Sequence, residues 1–176
     1  GLLTEFGTGR VIDTAISEAA IAGAAVGAAL RGMRPVAEIM YVDFVTIAMD
    51  QLVHVGAYNR YMFGGKAKVP MVLRTEGGVG RCIAAHHSES LEAWLMHTPG
   101  LYVVMPSTPY DAKGIMNAAL SGTDPVIFFE SQRLYEMAEE FHPGGVPAGY
   151  YEIPIGEPDI KRTGNDLTIL TIGPTL

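Results

Sequence analysis

"ISEAAIAGAAVGAALRG", residues 16–32, is built almost wholly from Ala, Gly, Val, Ile and Leu, yet it carries one carboxylate, Glu18, at its start. Ser17 is a favourable N-cap, Gly32 a favourable terminator, and Arg31 suits a last turn, so the stretch predicts one helix of about four turns. Glu18 then falls in the first turn. From Ala19 to Leu30 every residue is apolar or Gly, and a helix with no polar face is predicted to be buried on all sides. Gly23 and Gly27, at i, i+4 spacing, allow a neighbour's backbone to come close. A membrane span needs roughly 20 apolar residues, and this run stops short at Arg31, which predicts a helix of a soluble core. An acid at a helix start complements the dipole, whereas a carboxylate at the edge of an apolar core is costly without a partner. The stretch alone leaves both readings of Glu18 open.

Composition narrows the setting. The chain has 176 residues, 48% of them hydrophobic and 18% charged. That is enough for one ordinary domain, with more apolar surface than a free-standing one needs, so part of it is expected to lie against another chain. Net charge is −7, with no cluster of Lys or Arg, which argues against nucleic acid and membrane as partners. The single cysteine, Cys82, excludes an internal disulfide and suits a reducing compartment. No secretory signal, transit peptide or transmembrane segment is read.

Around the apolar helix, strand-like and helix-like segments alternate. "RVIDTA" (10–15) is read as a strand entering that helix, "PVAEIMYV" (35–42) as a strand entering a helix from about residue 44 to 62, and "VPMVLRT" (69–75) as a strand entering the loop "EGGVG". A helix is expected over residues 88–97. "LYVVMPS" (101–107), the helix "PYDAKGIMNAAL" (109–120), "PVIFFES" (125–131) and "DLTILTIG" (166–173) follow. Continuous apolar runs suit strands buried on both faces. The expected fold class is therefore α/β, a mostly parallel doubly wound sheet covered by helices. The predicted organisation is an α/β domain over 1–135, a Pro/Gly-rich loop or linker over 136–165, and at 166–176 the start of a further domain.

The chemistry-bearing residues are few. "EGGVGR" (76–81) lacks the Lys-Ser/Thr ending of a phosphate loop and reads first as a flexible turn. His86 and His87 sit where that loop meets the next helix, a position where such sheets bind ligands, although solvated histidines near a cap account for them equally well. No further Cys or His stands at zinc-ligand spacing. Asp43 is read as a helix cap, and the nine methionines as adaptable core filling.

Several motifs occur together and in order: "DTAISEAAIAGAAVGAALRGMRPVAEIMYVDF", "DQLVHVGAYNRYMFGGKAKVPMVLRT", "HHSESLEAW", "PGLYVVMPSTPYDAKG" and "DPVIFFE". In these the chain resembles the β subunit of the thiamine-diphosphate-dependent E1 component of 2-oxoacid dehydrogenase complexes, over most of residues 1–135. The resemblance implies a transketolase-like pyrimidine-binding domain and an oxidoreductase that works as a heterotetramer with an E1 α subunit and a second β subunit. It would act on pyruvate, acetoin or a branched-chain 2-oxoacid, decarboxylating the oxoacid, and pass the acyl group to the lipoyl group of an acyltransferase, E2. It implies that Glu18 hydrogen-bonds N1′ of the aminopyrimidine and so promotes loss of the thiazolium C2 proton, that Phe44 stacks on that ring, and that Ile16 and Met40 line its pocket. His87 is implied at the mouth of the site, in substrate binding and acyl transfer. Backbone carbonyls at Met71, Ala119, Leu120, Gly122 and Asp124 are implied as a potassium site.

The family's diphosphate and magnesium motif is absent from the sequence, because it belongs to the α subunit, so this chain is expected to hold half of a shared site. An early helix and strand and the C-terminal domain are also expected outside it, and the location is cytoplasmic, or the mitochondrial matrix in a eukaryote. His86 and Glu89 replace residues common in the family, and "TEGGVGRCIAA" is an atypical loop, which leaves the particular 2-oxoacid open. A split transketolase-like enzyme and a non-catalytic fragment of the same fold are the alternative readings.

Overall fold

The computed structural model describes all 176 residues. Strands β1 (Val36–Tyr41), β2 (Val72–Gly77), β3 (Tyr102–Val104) and β4 (Val126–Ser131) form one wholly parallel sheet in the order β1-β2-β4-β3. The two central strands are the most buried, and they pair in register from Val72 with Val126 to Gly77 with Ser131. Their alternate side chains build two cores. Leu73, Ile127 and Phe129, with Ala37 and Ile39 of β1, join Ala22, Ala25, Val26 and Ala29 of helix α2 (Glu18–Leu30). Val72, Val126 and Phe128 face helix α5 (Pro109–Ser121) on the other side, through Ala119. The doubly wound α/β reading therefore holds.

Five local expectations are corrected. The apolar helix α2 buries one face only: Ala20, Ala24, Gly27 and Leu30 are exposed. Ser17 precedes it without a side-chain cap bond. Residues 10–15 and 166–173 form no strand, since no neighbouring strand pairs with either, and Ile12, Leu167, Ile169 and Leu170 stand exposed. The expected long helix over 44–62 is three pieces: a 3₁₀ segment Val42–Ala48, a π segment Gln51–Ala57 and a short α3, Asn59–Met62. The cause lies in spacing. Val42, Val45 and Ala48 are all buried, and a period of three lines them on one edge only when the backbone tightens to 3₁₀. The helix read at 88–97 shrinks to α4, Glu92–Met96.

Residues 136–165 contain no helix or strand but lie against α5. Asn117 donates to the Tyr151 carbonyl, Ile153 N–H to the Gly114 carbonyl, and Ile155 joins the core beneath the helix. The remaining helix, α1 (Leu2–Phe6), has no buried residue. No helix is long and apolar enough to cross a membrane.

Candidate functional site

The C-terminal ends of β1, β2 and β4 bring the chemistry together. Beyond β1 the chain turns directly into the 42–48 segment, and this sets both Tyr41 and Phe44 against His87. Beyond β2 it enters a loop closed at its base, where Gly78 N–H donates to the Glu89 carbonyl at 2.8 Å. Gly77 is required there: a Cβ would stand 2.6 Å from Val42 Cγ1 and 2.8 Å from the Glu89 carbonyl. The loop holds Cys82 and Ala84 at φ of 55° and 66°, which costs about 1 kcal/mol or more at each non-glycine position. "EGGVG" is thus a turn fastened at its base rather than a free one, and the strain falls after it, at Cys82 and Ala84.

That loop delivers His87 on a short 3₁₀ turn, Ala85–His87. Its imidazole meets Tyr41 edge-on with ring centres 4.5 Å apart, and Phe44 at 5.6 Å. Behind it Gln132, almost wholly buried just after β4, donates from Nε2 to the His87 carbonyl at 2.9 Å. His86 is exposed.

Glu18 opens α2, which packs directly on the 42–48 segment that carries Phe44. Its carboxylate is half-buried and enters no ion pair of the chain. Ile16 and Met40 are exposed. An aromatic face, two exposed apolar side chains and an unpaired carboxylate are what a flat, weakly basic heteroaromatic ring calls for, so these residues fit an aminopyrimidine.

Sequence reasoning missed the polar network beside Met40. Arg74 of β2 grips Glu130 of β4 through two bonds of 2.8 Å and reaches Glu38 of β1 at 2.6 Å. Tyr135 donates to the same Glu130 at 2.6 Å. Hydrogen bonding to Glu130 holds Arg74 still more firmly protonated than usual, and burial, helped by the Glu130 bond, raises the Tyr135 phenol. The network lines a cavity of about 190 Å³ with Met40 and Tyr41. The signal was present in the sequence as charged residues at the even positions of three strands, but only the register reveals that they meet.

Two further expectations change. Asp43 caps no helix: its main-chain carbonyl takes the Thr46 hydroxyl at 2.8 Å, while both carboxylate oxygens are buried without a hydrogen-bond partner in the chain. The carbonyls proposed for potassium are largely engaged. Met71 O accepts from Val126 N–H and Ala119 O from Gly122 N–H. Arg34 Nη1 bonds Leu120 O at 2.7 Å and Gly122 O at 2.6 Å, while at Asp124 it is the side chain, not the carbonyl, that pairs with Arg60. A guanidinium already lies against two of the five oxygens, so the set does not fit an alkali cation unless Arg34 moves away.

Residues 1–137 match the family described as transketolase, pyrimidine binding domain. The chain is 51% identical over 173 residues to the acetoin:2,6-dichlorophenolindophenol oxidoreductase subunit beta of Bacillus subtilis (strain 168), covering 98% of this chain and 49% of that protein. It is 46% identical to the 2-oxoisovalerate dehydrogenase subunit beta of the same strain, covering 98% and 52%. The chain thus spans about half the length of these relatives. Among solved structures, a split gene transketolase, inactive beta4 tetramer, shares the fold with a TM-score of 0.64 at 18% identity, covering 82% of this chain and 44% of that one.

Proposed function

The chain belongs to the transketolase pyrimidine-binding domain family, and from that premise we propose that it forms the β-subunit half of a thiamine-diphosphate site in the E1 enzyme of a 2-oxoacid dehydrogenase complex. The observation that carries the proposal is the meeting of Phe44 and His87 at the ends of β1 and β2, on the segment against which the Glu18 helix rests. Thiamine diphosphate, when bound, supplies the electron sink for decarboxylation. The chain's own part is to hold and prepare it: the Glu18 carboxyl shares a proton with the bare N1′ nitrogen of the aminopyrimidine, Phe44 faces that ring, and Ile16 and Met40 exclude water from its edge.

His87 then binds substrate at the mouth and serves acyl transfer to a lipoyl group. Its orientation is set by Gln132 behind and by Tyr41 and Phe44 in front. In this reading the diphosphate and magnesium are held by an E1 α subunit, a second β subunit completes the heterotetramer, and the lipoyl acyltransferase E2 is the acceptor. The setting is cytoplasmic, or the mitochondrial matrix in a eukaryote. No alkali cation is included at 119–124, because Arg34 supplies positive charge there.

The test is co-purification with candidate α subunits, followed by titration of thiamine diphosphate and magnesium into the pair and into this chain alone. The pair is expected to bind and the single chain not to. In the pair, Glu18→Gln should abolish most hydrogen exchange at the thiazolium C2 while cofactor binding survives. Unchanged exchange would remove Glu18 from its assigned role.

A further inference from the structure

Where the loop after β2 touches the turn after β4, a cleft of about 350 Å³ opens, lined by Gly80, Arg81, Gln132, Arg133, Tyr135 and Glu136. Its walls are tied together. The Gly80 backbone is so close to Gln132 and Arg133 that a Cβ would stand 3.1 Å from the Arg133 nitrogen. Gln132, the residue between cleft and histidine, holds the His87 carbonyl. The cleft therefore adjoins the proposed site, with Gln132 shared between its lining and the His87 main chain.

Its two guanidiniums differ. Arg81 is braced, with Nη1 3.3 Å from Glu76 Oε1 and its carbon 5.2 Å from the centre of the Tyr135 ring. Arg133 is exposed and belongs to none of the chain's ion pairs. A guanidinium presents five donors in a planar fork matched to a carboxylate. One of these forks is spare, and in a chain of net charge −7 an unpaired cation beside the mouth is a local attractor for small anions. Glu136, on the far rim, disfavours a dianion.

We propose that Arg133, supported by Arg81, receives the carboxylate of a 2-oxoacid substrate as it enters toward His87. The inference rests on the function proposed above and deepens it: a monoanionic 2-oxoacid gains from this cleft, whereas a neutral hydroxyketone such as acetoin does not.

Two measurements test it. In the reconstituted pair with α subunit, rates are taken with an artificial electron acceptor. Arg133→Gln should raise KM for pyruvate and 2-oxobutyrate about tenfold, the loss of one charge-assisted contact, with kcat within about twofold. KM for acetoin should stay unchanged. Added salt should raise the wild-type KM for the acids and have little effect on the variant. Arg133→Lys, which keeps the charge and loses the fork, should fall between.

The second measurement needs no turnover. Saturation-transfer NMR of 2-oxobutyrate with the cofactor-free protein should give a signal with wild type that Arg133→Gln removes. Equal KM changes for acid and hydroxyketone, an unchanged KM for the acids, or 2-oxobutyrate binding that survives Arg133→Gln would each overturn the assignment. Failure of cofactor binding in the pair, with the NMR signal intact, would instead count against the proposed function and leave an anion cleft standing.

Discussion

At the scale of the residue, burial and pairing decide what each polar group contributes. Asp43 is 8% exposed with both carboxylate oxygens unpartnered, and a buried polar group left so costs about 1–3 kcal/mol. Asp43→Ala should therefore raise the melting temperature of the isolated chain by about 3 °C, from a gain of roughly 1 kcal/mol in a protein of this size. A lower melting temperature would mean that the carboxylate has a stabilising role. Arg74 is the opposite case, a cation balanced by Glu38 and Glu130. Arg74→Met removes the bonds to both and sets two acids facing each other. It should destabilise the fold by about 1–2 kcal/mol given the partial exposure of the group, read as a lower urea midpoint with an unchanged m value. These two residues also mark the limit of sequence reading. Glu18, Phe44 and His87 could be named because their motifs are local. The bonds from Arg74 to Glu38 and Glu130 span 36 and 56 positions, as unreadable in a linear pattern as the bond from Gln132 to His87.

At the scale of the element, α5 shows how local rules and tertiary contacts combine. Thr108 accepts from Asp111 N–H at 3.1 Å and Pro109 opens the first turn, so this helix was legible in advance. Less legible was the strap that follows β4. Glu139 accepts N–H bonds from Tyr110 in the first turn of α5 and from Phe141 and His142. Burial opposes its ionisation, but those bonds outweigh it and hold the carboxyl below its usual value of 4.5. A carboxyl depressed in the folded state adds stability above about pH 4.5 that is lost as pH falls through its lower folded value. The stability gap between wild type and Glu139→Gln should accordingly be widest at neutral pH and close during acid titration followed by circular dichroism. A gap that stays constant down to pH 2 would show that the charge is not what matters.

Gly114 sets the depth of the same docking, since a Cβ there would lie 2.6 Å from Ile153 Cγ1 and 2.7 Å from Tyr151. Gly114→Val should cost about 2 kcal/mol by overpacking and speed limited proteolysis within 136–165, while Val at the open position Gly149 should not. The elements that sequence alone misjudged have one physical cause. Residues 10–15 and 166–173 have strand composition, but a strand exists only with a ladder partner. Residues 44–62 have helical composition, but a buried stripe at a spacing of three overrode the propensity.

At the scale of the whole molecule, the exposed apolar surface is the feature that composition anticipated and that one chain leaves uncovered. Tyr61, Met62 and Phe63 stand together in solvent, 88%, 71% and 60% exposed, as does one side of α2. For α2 the argument can be made sharp. Its inward face is filled by Ala22, Ala25, Val26 and Ala29, whereas Ala24 is exposed and a Cβ on Gly27 would meet nothing within 4 Å. A helix of small residues with one free side permits backbone approach by a second helix that larger side chains would block. Ala24→Arg should therefore leave the circular dichroism spectrum and melting temperature of the isolated chain unchanged, because it points into solvent, yet abolish co-purification with the proposed α subunit or second β copy, because on that proposal it places a charge in the seam. The two readings separate cleanly. If the variant unfolds alone, α2 is enclosed within its own chain and the apolar excess has another cause; if it folds and still assembles, the subunit contact lies elsewhere, and the aromatic cluster at residues 61–63 becomes the next surface to charge. Folding retained with assembly lost would tie the small-residue pattern of α2, and with it the placement of Glu18 beside a partner chain, to the building of a shared site.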